Sequence, residues 1–109
     1  MTQGLLGKAA LVANTYTKVY QVTTGKTATA NIKVINNDLV NSVSIRLYIC
    51  PVTWVSGAGG TSDIIEPLDL VIQAGKVLEN TGIAMSGGEQ VIAFASNGNV
   101  TVRVHGFEN

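Results

Sequence analysis

The sequence predicts an all-β protein: an antiparallel β-sandwich or jelly-roll-like barrel of seven or eight short strands with an N-terminal arm. Three observations lead there. Val, Ile and Thr account for 34 of the 109 residues, and β-branched side chains are stiff at χ1 and pack well on a pleated surface. Two stretches alternate apolar and polar residues with a strict period of two, as a half-buried strand requires. Turn residues recur roughly every 8–12 positions, and no segment carries a helical stripe.

The elements follow in order. Residues 1–16 have no clean period and read as an arm that pairs at a sheet edge or against a neighbouring subunit; residues 17–109 form the single sandwich domain. Val19 to Val22 is a short strand, turned by Thr23-Thr24-Gly25-Lys26. Ala28, Ala30, Ile32 and Val34 then share one face, with Thr29, Asn31 and Lys33 on the other. Asn36-Asn37-Asp38 is a turn cluster. In the next strand Val43, Ile45, Leu47 and Ile49 form the apolar face, opposite Ser44, Arg46 and Tyr48. Pro51 stops it, and Val52 to Ser62 is a glycine-rich loop.

Beyond the loop, Asp63 to Glu66 and Leu68 to Ile72 form a strand pair or one strand broken at Pro67. Gln73-Ala74-Gly75-Lys76 turns the chain into Val77 to Met85, extended with a kink near Gly82, and Ser86 to Glu89 is a further turn. Gln90 to Ala95 and Val100 to Phe107 are expected to close a hairpin around Asn97-Gly98, a strong signal for a tight β-turn. That register sets Val91, Ala93 and Ala95 against Val104, Val102 and Val100, with His105 opposite Gln90. Both faces of this hairpin are partly apolar, so cover on both sides is expected.

Charged residues make up 13% of the chain, where about 25% is usual. Seven basic and seven acidic side chains cancel, which argues against an electrostatic nucleic-acid binder. Hydrophobic residues reach 46%, yet no run approaches the ~18 apolar residues of a spanning helix. No basic stretch followed by an apolar run opens the chain as a secretory signal would, so assembly in a cytosol is expected.

Catalytic and ligand motifs are sparse. Gly25-Lys26-Thr27 resembles the end of a phosphate loop, but Tyr20 stands where its first glycine belongs and a strand follows where a helix should. One cysteine and one histidine make a poor zinc set. Cys50 reads as a small buried hydrophobe, and His105 as a solvated or interface histidine. Asp63, Glu66 and Asp69 read as solvated rim charges, and no cofactor or catalytic residue is assigned. Trp54 either caps one end of the sandwich core or anchors an interface, where Trp is enriched.

The order Val19-Tyr20-Gln21-Val22-Thr23-Thr24-Gly25-Lys26-Thr27-Ala28 resembles the "lYtVpaGktA" opening of a group of small tailed-bacteriophage virion proteins. Asn36-Asn37 falls at their turn after the second strand. Pro67 to Gly75 resembles their "pI.ag" step, Ile83 to Glu89 their "itL..gd" step, and Val104-His105-Gly106-Phe107-Glu108 their "vfGvE" ending. The likeness spans about Val19 to Asn109; it departs at the longer 52–62 loop and at Thr23 or Thr24, where the family has Pro. It implies a non-enzymatic β-sandwich, repeated in the virion: a capsid decoration or cement protein on the assembled head. The alternative is a tail or fibre-adaptor component, including a host- or glycan-contacting module.

Expected partners are further copies of the chain, as a trimer, and the major capsid protein or tail proteins, with neither nucleic acid nor membrane. The arm and the 52–62 loop are apolar and glycine-rich, a poor composition for free loops. They carry the expected contact residues: Leu5, Leu6 and Leu11 in one, and Trp54, Val55, Gly57, Gly59 and Gly60 in the other.

Overall fold

Alternate side chains along each strand turn inward to meet those of a second sheet. The computed structural model describes residues 2–109. Its strands are β1 (Thr2–Ala10), β2 (Thr17–Gln21), β3 (Ala28–Asn36), β4 (Val43–Cys50), β5 (Leu70–Ile72), β6 (Val77–Met85), β7 (Gln90–Ala95) and β8 (Val100–Glu108), with a short 3-10 turn at Thr61–Asp63. They form two antiparallel four-stranded sheets, ordered β1-β8-β3-β6 and β2-β7-β4-β5.

This order has a simple logic. β1 pairs with β8, β2 with β7, β3 with β6 and β4 with β5. The chain is thus one long hairpin, closed between β4 and β5, whose successive strand pairs fall alternately into the two sheets. This is the jelly-roll form of the sandwich.

Alternation builds the core as expected. Ala28, Ala30, Ile32 and Val34 of β3 are buried, as are Val43, Ile45 and Leu47 of β4, whereas Ile49, expected on the same buried face, is only partly buried against the core. Val91, Ala93 and Ala95 of β7 and Val100, Val102 and Val104 of β8 are each at most 2% exposed. The kink in β6 is also present: the register with β3 shifts between Ala30 and Ile32, and Gly82, at φ +71, donates its N–H to Asn31 Oδ1 at 2.9 Å. At the Thr23–Lys26 turn, Lys26 N donates to the Thr23 carbonyl at 3.0 Å, with Gly25 in the left-handed region this turn needs. Of the expected strands on either side of Pro67, the first is reduced to a single Ile64–Tyr48 bridge after the 3-10 turn and the second to β5, both alongside β4.

Three expectations are corrected. The β7–β8 hairpin does not form, because β7 pairs with β2 and β4 while β8 pairs with β1 and β3. Neither Asn97 nor Gly98 takes the positive φ a type I′ turn demands. Asn97 Oδ1 instead accepts from Asn99 N at 2.9 Å, and the chain crosses from one sheet to the other. The six small residues do face a common core, but across the sandwich. His105 therefore sits between Leu5 and Asn31, not opposite Gln90. Finally, Leu11 is 3% exposed within the chain's own core, with its N–H donated to Val100, so it offers no surface to a partner. Residues 2–10 of the N-terminal segment are an edge strand of their own sheet, and Met1 lies outside the described residues.

One polar cluster ties the sheets together at the end of β8. The Glu108 carboxylate, 9% exposed, accepts from Tyr20 OH at 2.7 Å, Thr23 N at 3.0 Å and Thr23 Oγ1 at 2.9 Å. The Tyr20 bond leads the causes that hold this carboxyl below its ordinary value, with the two Thr23 bonds next. Burial, reinforced by the adjacent carboxylate, pushes the Tyr20 phenol up. The lowered carboxyl stabilises the fold above its unfolded pKa, and this is lost as pH falls through the folded one. The raised phenol stabilises below its own unfolded pKa, lost only as pH rises through its folded value.

Glu108→Gln should cost about 1.5–3 kcal/mol at pH 7, the worth of hydrogen bonds to a charged group. In urea titrations the gap to wild type should narrow below about pH 4, as a normal Glu (pKa ~4.3) would protonate. A gap independent of pH would contradict the assignment. Gly106→Ala tests the close approach of β8 to β3, where a Cβ would overlap the Thr29 carbonyl oxygen. A loss above about 2 kcal/mol in the same titrations is expected.

Candidate interaction surfaces

The two sheets differ in what covers their outer faces. On β4 and β7 the outward positions include Tyr48, Cys50 and Ile92, yet these are 2%, 0% and 0% exposed. The chain after Pro51 folds back over them, and Tyr16, Trp54 and Ile64 pack against the cluster. Backbone and side-chain bonds hold this strap. Gln90 Nε2 donates to the carbonyls of Pro51 at 3.0 Å and Trp54 at 3.2 Å, and Trp54 Nε1 donates to the Gly57 carbonyl at 2.9 Å. Ile65 N donates to the Leu47 carbonyl at 3.1 Å. Gly59 lies so close that a Cβ would stand 2.7 Å from Cys50 Sγ and from the Tyr48 ring.

At the margin of the strap Arg46 is fully engaged. Its Nε and Nη2 donate to the two oxygens of Asp69 at 2.9 and 3.2 Å, and Nη1 donates to Tyr16 OH at 2.7 Å. Its guanidinium carbon also stands 5.2 Å from the centre of the Phe94 ring, within cation–π range. The Arg46 bonds draw the Asp69 carboxyl below its ordinary value. The expected rim acids thus have separate tasks: Asp69 holds Arg46, Asp63 Oδ2 accepts from Gly60 N at 3.0 Å, and Glu66 accepts from Asn80 Nδ2 at 2.7 Å. Burial, with the Asp63 charge adding, pushes the Cys50 thiol up.

The expected contact residues separate onto the two outer faces. Trp54 is half-buried on the outside of its sheet, so it does not cap the end of the sandwich core, because the strap carries it over Tyr48 and Cys50. Gly57 and Gly60 serve the strap's internal bonds, and Val55 projects from it at 84% exposure. Leu6 packs partly against the main core, whereas Leu5 points outward from β1 on the other sheet. The two groups form no single site.

The outer face of the β1-β8-β3-β6 sheet carries no such cover among the described residues. Its ladders set Lys8, Arg103, Lys33 and Glu79 in one rung across all four strands. Lys33 Nζ stands 3.6 Å from Glu79 Oε1, both side chains about half exposed, and Arg103 Nε donates to His105 Nε2 at 3.1 Å. Asn31, Lys33, Ile35, Arg103 and His105 line a shallow depression, and a second, bounded by Phe107 and Gln3, adjoins it at Asn31. The alternation along β3 puts Asn31 and Lys33 on its outward face; the row needs the partners of β3 and β8, which no local pattern states.

Among the described residues no group of three or more His, Cys, Asp or Glu side chains gathers to hold a metal, and no helix is long and apolar enough to cross a membrane. Comparison with protein-family models, curated proteins and solved structures finds no match.

The strap makes a chemical prediction. Cys50 in the folded chain should react with an aromatic disulfide reagent only at the rate of strap opening or unfolding. Trp54→Ala should accelerate that reaction by about tenfold or more, if about 1.4 kcal/mol of cover is lost from the open–closed balance, while the far-ultraviolet β signal is kept. Equal rates for the two proteins would show that Trp54 does not seal the thiol.

Proposed function

We propose that this chain is a non-enzymatic structural component of a tailed-bacteriophage virion, a decoration protein that binds the assembled head as a homo-oligomer, expected to be a trimer. One observation carries the reading: of two outer sheet faces, one has its central side chains Tyr48, Cys50 and Ile92 buried under the chain's own strap, while the other has no such cover among the described residues and leaves Leu5, Phe107 and Val77 exposed on either side of a row of cations. An uncovered sheet face that mixes exposed apolar side chains with charges suits a protein interface. The outer edge of β1 has no partner strand among the described residues, and a free edge can accept a strand from a neighbour. The ordered likeness from Val19 to Asn109 supports a virion role. The jelly roll recurs in viral capsid domains.

Copy number in purified particles tests the proposal. Hundreds of copies, with labelled antibody over the head surface, are expected. About six to a few tens of copies at the tail would shift the chain to the tail, and absence from particles would end the virion reading.

A further inference from the structure

Cross-strand neighbours of like charge destabilise a sheet. Lys8 pairs with Arg103, and Arg103 with Lys33, on one exposed face. This chain has only seven basic side chains, and three of them stand side by side in this rung. Glu79, at the far end beside Lys33, is the acid that shares the rung. Arg46 on the other sheet has the opposite treatment, with a carboxylate gripping two of its nitrogens. One acid answers three adjacent cations, and a local rule broken with so little compensation is expected at a functional or strained site.

The residues flanking the row narrow the partner. Leu5 and Phe107 lie on one side and Val77 on the other, each between 42% and 51% exposed. Cations among exposed aliphatic and aromatic side chains suit a folded protein surface, where apolar contact supplies area and charge sets register. Double-stranded DNA would call for a longer basic track than one rung.

We propose that the outer face of the β1-β8-β3-β6 sheet docks on an acidic protein surface of the head, with two or three carboxylates set against the Lys8–Arg103–Lys33 row and apolar groups against Leu5, Phe107 and Val77. This assignment rests on the decoration reading and adds to it the docking face and the chemistry of its target. The carboxylates relieve the repulsion within the row, so the row is better accommodated in the complex than in the free chain.

The test uses the full chain and heads assembled without it, with binding followed by co-sedimentation at low and high salt. Wild type should bind with an affinity that falls as salt rises. Lys8→Glu/Lys33→Glu/Arg103→Glu should bind about tenfold or more weakly, with the salt dependence reduced or reversed. Lys8→Gln supplies a second readout that does not depend on the triple variant folding: binding weakens while the urea midpoint of the free chain stays level or rises, since a repulsion has been removed. A folded triple variant that binds like wild type overturns the docking face and leaves the decoration role standing. So does a variant that loses self-association but keeps its grip on heads, since the face would then be covered by a second copy. Wild type that fails to bind heads at all overturns both.

Discussion

The architecture depends on β7 and β8, which with β4 and β3 are the four strands paired on both edges within their own sheets. The inward residues of β7 and β8 from Val91 to Ala95 and from Val100 to Val104 are all Val or Ala and essentially sealed from water. Small, stiff side chains let the sheets pack closely, and close packing forces every neighbouring strand to present an apolar alternate row as well. Ala28 to Val34 of β3 and Val43 to Leu47 of β4 meet that demand. The remaining question is then what each central strand shows on its other side.

The answer differs between them, and the asymmetry of the molecule follows. The outward side of β7 carries Ile92 and Phe94, which water disfavours. The long excursion between β4 and β5 folds back over that sheet, burying Ile92 with Tyr48 and Cys50, while Tyr16 and Arg46 pack on Phe94. The outward side of β8 carries Thr101, Arg103 and His105, which need no cover, and Phe107, which is left half exposed, since no part of the described chain covers this face. One face is therefore used for the protein's own stability and the other is left uncovered by the described chain. Electrostatics follows the same division, with Arg46 neutralised in place and the cations of the open face mostly unanswered.

Polar groups at the ends of the strands close the roll. Glu108, Tyr20 and Thr23 bond across the gap between the sheets. At the opposite end Asn36 Nδ2 donates to the carbonyls of Asn41 and Ile72 at 3.0 and 3.1 Å. A buried polar group must be satisfied, so each such cluster holds its loops in one arrangement. Neither was marked as a site in the sequence. Tyr20 and Glu108 are 88 residues apart, and nothing local to either predicts the other.

Much of the fold was legible from local pattern. A period of two states which face a residue occupies, so the inward rows of β3, β4, β7 and β8 could be read directly, as could the turn at Gly25 and the bulge at Gly82. The burial of Cys50 was legible from its chemistry as a small hydrophobe, although it stands on the outward side of β4 and it is the strap that buries it. Partnership was not. The Asn97-Gly98 pair favours a tight turn by an amount that belongs to a few residues, whereas placing β7 and β8 in opposite sheets gives each strand two complete ladders. Four nested long-range pairings therefore outweighed one short-range preference. The position of Trp54, the burial of Leu11 and the assembly of Lys8, Arg103 and Lys33 into one row all depend on that choice. Face is a property of a strand alone, but adjacency is decided only when the whole chain has rolled up.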